Sequence, residues 1–318
     1  MATLAVGRCY QRGLVSKSSL QIFADPTLAD PTKGSMTTRT QVAAAAPIWV
    51  KERLLGPVRE AAVVHTGRHA IYVAIRVGDT QRCVGLLSRS SSVVPCGLHT
   101  TLPDLSGFVA ASGTLAPGDT VTVGEGLLRI GAVDFHVGRT VDCSVPRLNR
   151  ADAKTMAERL RHALGDRLTP VMTELPAESL ALLAQADGAS VPMLLGRGSG
   201  LTPVGDDVLA GWLATIKATH SDARSIAQSV SHLSTDATTL LSATLLDRAN
   251  AGDVLPEFRQ FLLDLRTPVS SRRDDRLSNS VDAMLTIGHT SGAGLLLGSV
   301  IAFDHLCTDQ LKRRNHRS

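Results

Sequence analysis

Asp134-Phe135-His136-Val137, then Val145-Pro146-Arg147, then Asp152-Ala153-Lys154-Thr155-Met156-Ala157-Glu158-Arg159-Leu160: across these residues the apolar pattern changes its period. Upstream, short apolar runs at 61–65, 70–77, 83–87, 107–111, 120–123, 127–130 and 134–137 are punctuated by turn signals such as Gly78-Asp79, Pro117-Gly118-Asp119 and Gly124-Glu125-Gly126. Runs of this length without intervening helical patterns read as strands of an antiparallel sandwich or barrel. Downstream, Met156, Leu160, Ala163 and Leu164 recur at helical spacing, and Leu180, Leu182 and Leu183 repeat the pattern. Helices are expected at 152–164, 176–186, 206–218, 222–233, 236–251, 256–265, 278–286 and 291–307. The fold class is therefore α+β: an N-terminal extension over 1–45, a β-rich domain over 46–146 and an α-helical domain over 147–318.

The chain has 318 residues, of which 43% are hydrophobic and 19% charged, a composition that excludes the disordered class. Aromatics make up only 3%, which leaves little for base stacking. The net charge of +4 comes from the ends: residues 1–45 and 307–318 each carry +3, so the body between them is slightly acidic at −2. That distribution argues against a nucleic-acid partner. Five scattered cysteines with no C-x-x-C pair give no support for a disulfide framework or a zinc site, so no metal ligands are assigned. The longest apolar run, 293–303, is about half a membrane span, so no membrane partner is expected and the chain is read as cytoplasmic. Residues 1–35 contain Ser and Thr, are poor in acids and lack periodicity. They are compatible with a transit peptide, but a start at Met36 is the preferred reading.

Chemistry concentrates in Gly196-Arg197-Gly198-Ser199-Gly200-Leu201-Thr202-Pro203-Val204-Gly205-Asp206-Asp207. Thr202 fits an N-cap and Pro203 a first helical position, so a glycine-rich loop feeds a helix start whose N–H groups and dipole favour an anion. Asp206 and Asp207 follow within a turn, where a carboxylate pair can hold Mg²⁺, orient an amide or act as a base. The plainer reading is that acids in a first turn meet the dipole and the glycines permit close packing. A second stretch, Gly288-His289-Thr290-Ser291-Gly292-Ala293-Gly294-Leu295-Leu296-Leu297-Gly298, partly echoes the first, with Gly205 to Gly211 aligning on Gly292 to Gly298. Two glycine-opened helices would then face one pocket, or Gly292, Gly294 and Gly298 are contact points between packed helices. Thr238, Thr239 and Ser242 could add hydroxyls, and Arg272 to Arg276 reads as a solvated loop. Thr38-Arg39-Thr40 resembles the phosphate-binding element of aspartate-type and ornithine-type carbamoyltransferases, but it lacks the strand-to-helix context and is read as coincidence.

The order Gly-x-Gly-x-Gly-Leu-Thr-Pro-x-Gly-Asp-Asp-x-Leu-x-Gly from Gly196 to Gly211 resembles a family long catalogued as a domain of unknown function. Its best-understood branch, AllH-like, is a subunit of the bacterial oxamate carbamoyltransferase of anaerobic allantoin breakdown, part of purine catabolism. Residues 238–252 and Ile287 to Gly292 are similar to two further motifs of that family, and the resemblance covers roughly 50–305. Ser199 stands where the family usually has Pro, and Gly294 where it usually has Asp, which removes a carboxylate from that helix.

The resemblance implies carbamoyl transfer between phosphate and an amide nitrogen by a multi-subunit enzyme. It implies as partners the other carbamoyltransferase subunits and a small anionic substrate such as carbamoyl phosphate. In that frame Asp206, Asp207, His289 and Ser291 are the catalytic candidates. Gly198, Gly200, Thr202, Gly205, Thr290 and Gly292 are the anion-binding ones. No cofactor is assigned beyond the Mg²⁺ that the carboxylates could hold. The other reading is a non-catalytic scaffold or anion-sensing subunit of a metabolic complex.

Overall fold

The strands close on themselves. In a computed structural model that describes residues 39–106, 115–266 and 271–315, eight strands form a barrel: β1 (Thr40–Ala46), β2 (Arg59–Thr66), β3 (Ala70–Val77), β4 (Thr80–Leu87), β5 (Gly97–His99), β6 (Thr120–Gly124), β7 (Leu127–Ile130) and β8 (Val133–Thr140). Their order around the barrel is β1-β5-β4-β3-β2-β6-β7-β8. The sandwich alternative is thus replaced by a closed barrel, and the all-antiparallel expectation by a mixed sheet, because β1 runs parallel to β8 and β4 parallel to β5. Closure removes the exposed edges that a sandwich would have to protect. β1 falls inside the segment assigned to the extension, so the ordered barrel begins before residue 46. Arg39 ties this seam: its Nε meets Asp134 Oδ1 at 2.5 Å and its Nη2 donates to Gly131 O at 2.8 Å. A guanidinium spent in this way fits the reading of Thr38-Arg39-Thr40 as coincidence. The expected strand at 107–111 lies outside the described residues.

Side chains including Ile71, Val73, Val84, Leu86, Leu98, Leu128 and Phe135 fill the barrel core. Helix α1 (Ile48–Leu54) packs on β6 and β8 and adds Trp49, Val50 and Leu54. β4 is buried over its whole second half, from Cys83 to Leu87, where alternation would leave every other residue wet. A helix covers its outer face.

The helical half comprises α2 (Ala153–Leu164), α3 (Thr169–Glu174), α4 (Ala177–Ala184), α5 (Val191–Leu194), α6 (Val204–Ala218), α7 (Arg224–Ala237), α8 (Leu240–Ala251), α9 (Pro256–Arg266), α10 (Ser271–Leu285) and α11 (Ser291–Asn315). Helix α10 begins at Ser271, so the backbone of the expected loop at 272–276 is helical, in keeping with the good helix propensity of Arg. α6 is buried at every position but Lys217, as befits a central helix, and packs lengthwise on α11. The segment Ser291–Arg313 is long and apolar enough to cross a membrane, but most of it is buried inside the fold. Small residues make this contact possible. A side chain at Gly211 would strike the Leu295 carbonyl, and one at Gly298 would meet the Val208 carbonyl and Trp212 N.

The stretch around Pro146 is pinned rather than loose: Val145 N donates to Gly252 O and Leu148 N to Ala218 O, both at 2.8 Å. α8 then fastens the helices to the barrel. Thr244 Oγ1 accepts from Cys83 N at 2.9 Å, Leu241 joins the barrel core, and Arg248 lies 4.7 Å above the Trp49 ring.

Candidate functional site

The glycine-rich loop folds back on the helix that it feeds. Gly196, Gly198 and Gly200 have φ of +72°, +118° and +88°, a region other residues enter at a cost of about 1–2 kcal/mol. Helix α6 starts at Val204, two residues before the expected 206, with Pro203 as N-cap, one residue after the expected Thr202. Thr202 does not cap it; its hydroxyl instead bonds Ser291 Oγ at 2.9 Å. The first helical amides are largely consumed inside the protein: Gly205 N donates to Arg197 O at 2.9 Å, and Asp206 N and Asp207 N turn back to Pro203 O. An anion would therefore find fewer free donors here than the sequence suggests.

Asp206 is 1% exposed and joins three segments. Its Oδ1 accepts from Gly196 N at 2.6 Å, and its Oδ2 accepts from Ser242 Oγ at 2.6 Å and from the Thr238 hydroxyl. Burial raises its pKa, while these donors pull it back down. Thr239 caps α8 by accepting from Ser242 N at 3.0 Å and donates to Leu201 O at 2.5 Å. The hydroxyls of 238, 239 and 242 thus hold the loop to α8.

Asp207 is also buried, but its hydrogen bonding differs. It is 7% exposed, and its Oδ2 is shielded from solvent without a hydrogen-bond partner. Burial pushes its carboxyl well above the usual range, the nearby Ser291 hydroxyl pulls the other way, and the Asp206 charge adds to the rise. The starts of α6 and α11 lie side by side, since a Cβ at Gly294 would stand 2.8 Å from Asp207 Cβ. Two helix dipoles, worth about 0.3–1 kcal/mol each, oppose the rise but fall short of a desolvation penalty of several kcal/mol. Because Asp206 has both oxygens engaged, the pair does not present two free carboxylates to a cation. No group of three metal-ligating side chains occurs among the described residues.

A cavity of about 280 Å³ lies between barrel and helices, lined by Asp207, Thr202 and Ser291 together with Tyr72 and Leu87 from β3 and β4, Ser91 and Ser92 from the loop after β4, and Leu241, Leu245 and Leu295. The barrel wall carried no sequence signal, because Tyr72 lies within the ordinary strand run 70–77 and Ser91 in no motif. Among the described residues that line it none is Arg, Lys or His. Of the expected site residues, Asp207, Thr202 and Ser291 meet here. His289 is exposed and does not line the cavity, nor do Thr290, Gly198 and Gly200. Gly205 and Gly292 serve packing, since a Cβ on either would strike a carbonyl, that of Leu194 or Met284.

Neither the comparison with curated proteins nor that with solved structures gives a match. Residues 194–303, from the end of α5 through the glycine-rich loop, α6 and α8 into α11, match the model of the family described as oxamate carbamoyltransferase subunit AllH, and the barrel lies outside that match.

Proposed function

We propose that the chain is one subunit of a multi-subunit carbamoyltransferase, and that it contributes the side of the active site that holds the acceptor amide. The observation that carries this reading is the coincidence between the family match over 194–303 and the helical wall of the cavity where Asp207, Thr202 and Ser291 converge. In the transfer, a C–N bond forms between the carbamoyl carbon and the amide nitrogen. The C–O bond to phosphate breaks, and the departing phosphate takes the electron pair and the proton lost by nitrogen. Asp207 holds the amide, and the Thr202–Ser291 hydroxyl pair, one of whose protons is used in their mutual bond, offers the other to its oxygen. Charge on the leaving phosphate calls for cations. The cavity wall has none among its described residues, so a partner subunit supplies them and the active site forms at an interface.

The test is co-purification with the products of neighbouring genes, followed by a phosphorolysis assay with carbamoylated amides. The chain alone is expected to be silent and the assembled complex active. Robust turnover by the isolated chain, or no turnover by a complete complex, would refute the proposal. The scaffold reading would be favoured by a complex that stays fully active when Asp207 is replaced by Leu.

A further inference from the structure

We propose that Tyr72 is a specificity-determining residue of the transfer site, its phenolic O–H donating to an oxygen at the end of the acceptor remote from the reacting amide. This deepens the functional reading above and rests on it for the acceptor, but its support is the barrel wall of the cavity, which lies outside the family match. Side chains alternate along a strand. Ile71 and Val73 fill the barrel core, and Tyr72 between them lines the cavity. Its register partner on β4 is Gly85, where a Cβ would stand 2.7 Å from the Tyr72 ring. Its partner on β2 is His65, with ring centroids 6.0 Å apart. A glycine thus makes the seat for the ring, and strand pairing on both sides fixes its place.

The ring is held but its hydroxyl is not. Tyr72 is 6% exposed, yet its oxygen neither bonds another described residue nor is sealed from solvent. A buried Tyr O–H ordinarily finds a partner, and phenylalanine would fill the same seat without that cost. The neighbouring hydroxyls are committed: Thr202 and Ser291 bond each other at 2.9 Å, and Ser91 donates to His69 O at 2.5 Å. Exposed Ser92 aside, Tyr72 carries the one unbonded hydroxyl among the described lining residues. Asp207, Thr202 and Ser291, which take the amide, belong to the helical wall, so a donor on the barrel wall meets the other end of the acceptor. Burial, with the nearby Cys96 and Cys83, pushes the phenol's pKa up, so it meets that oxygen as a donor. The class that fits is an amide with a second oxygen acceptor, a carbonyl or a carboxylate, the latter making the stronger, charge-assisted bond.

The chain has two tyrosines, so tyrosine isotopically labelled at Cζ gives a two-line spectrum in which Tyr72→Phe deletes one line and thereby assigns it. The full chain and its complex with the partner subunits are titrated with oxamate and with propionamide, an amide of similar size that lacks the second acceptor. Oxamate should move the Tyr72 line. Tyr72→Phe should weaken oxamate by about tenfold or more and propionamide by less than about twofold. In the complex the variant should raise KM for oxamate by a similar factor with kcat nearly unchanged, as for a contact made equally in ground and transition states. Thermal melting is the control: Tyr72→Phe should melt no lower than the parent, because no bond within the protein is lost. A Tyr72 line unmoved in both chain and complex, a loss on propionamide as large as on oxamate, or a lower melting temperature would overturn the proposal. The functional reading fails separately. A line that moves in a complex without transferase activity sinks that reading and leaves Tyr72 a ligand-binding residue, whereas an active complex whose KM for oxamate ignores the variant sinks this proposal alone.

Discussion

Asp206 and Asp207, adjacent in the chain, face opposite demands: the first accepts hydrogen bonds from Gly196, Thr238 and Ser242, while the second is as deeply buried and leaves Oδ2 unpaired. One holds the architecture and the other is left with capacity for a ligand. Removing Asp206 strands three donors, each costing about 1–3 kcal/mol if left unsatisfied in the interior. Asp206→Ala should therefore lose roughly 3 kcal/mol or more in urea denaturation. Asp207→Asn strands nothing and should be at least as stable as the parent at neutral pH, because it removes the cost of keeping an ionisable carboxyl buried. Equal losses in the two variants would contradict this division.

Acidity gives an independent check on Asp207. Its folded pKa lies above the unfolded value near 4, so the native state holds the proton more tightly. The resulting stabilisation is complete below about pH 4 and is lost as pH rises from there through the folded pKa. Denaturation of the parent and of Asp207→Asn at steps from pH 4 to 8 should give a difference, parent minus variant, that falls as pH rises from 4 and levels off once the folded pKa is passed. A flat or rising difference would mean that Asp207 is ionised when folded.

The glycines should separate into two groups. Gly211→Ala and Gly298→Ala drive a methyl group into the backbone of the facing helix and should each cost about 3 kcal/mol, at the upper end for overpacking. Gly200→Ala meets nothing within 4 Å and pays only for its left-handed backbone, about 1–2 kcal/mol. Similar losses at all three positions would point to a general role for the loop rather than to helix contact.

The attachment of barrel to helices is also testable. Thr244→Val keeps the shape but leaves Cys83 N–H without its acceptor, at a cost of about 1–3 kcal/mol. Hydrogen exchange at Cys83 should accelerate, while Val73, inside the barrel core, should be little affected. Unchanged protection at Cys83 would show that α8 is held by its apolar contacts alone.

The change of period at Pro146 and the longer helices beyond it were legible because amphipathic spacing is local, whereas the short α3 and α5 and the first turns of α10 were not expected, being too short or too polar to show a period. Barrel closure was not. Ala43 to Ala46 have weak strand propensity, and their partners from His136 to Thr140 lie more than ninety residues away. The two aspartates were legible as a motif, but their division of labour was not, since it depends on Thr238, Ser242 and Ser291 reaching them through the fold. Thr202 misled for the same reason: its hydroxyl suits a cap, and a partner from α11 claims it. His289 shares a motif with Ser291, yet one helical start separates an exposed ring from a hydroxyl at the cavity.

The pairing of α6 with α11 bears on how the chain is made. The barrel wall of the cavity is complete once residue 140 has been synthesised, and α6 and α8 follow, but Ser291 and Leu295 come only with α11, the last of these elements in chain order. Until they arrive, α6 has one long apolar face without its partner and Asp207 is open to water. The pocket therefore has no form before α11 is made, and ligand or partner subunit can meet it only once that helix has docked.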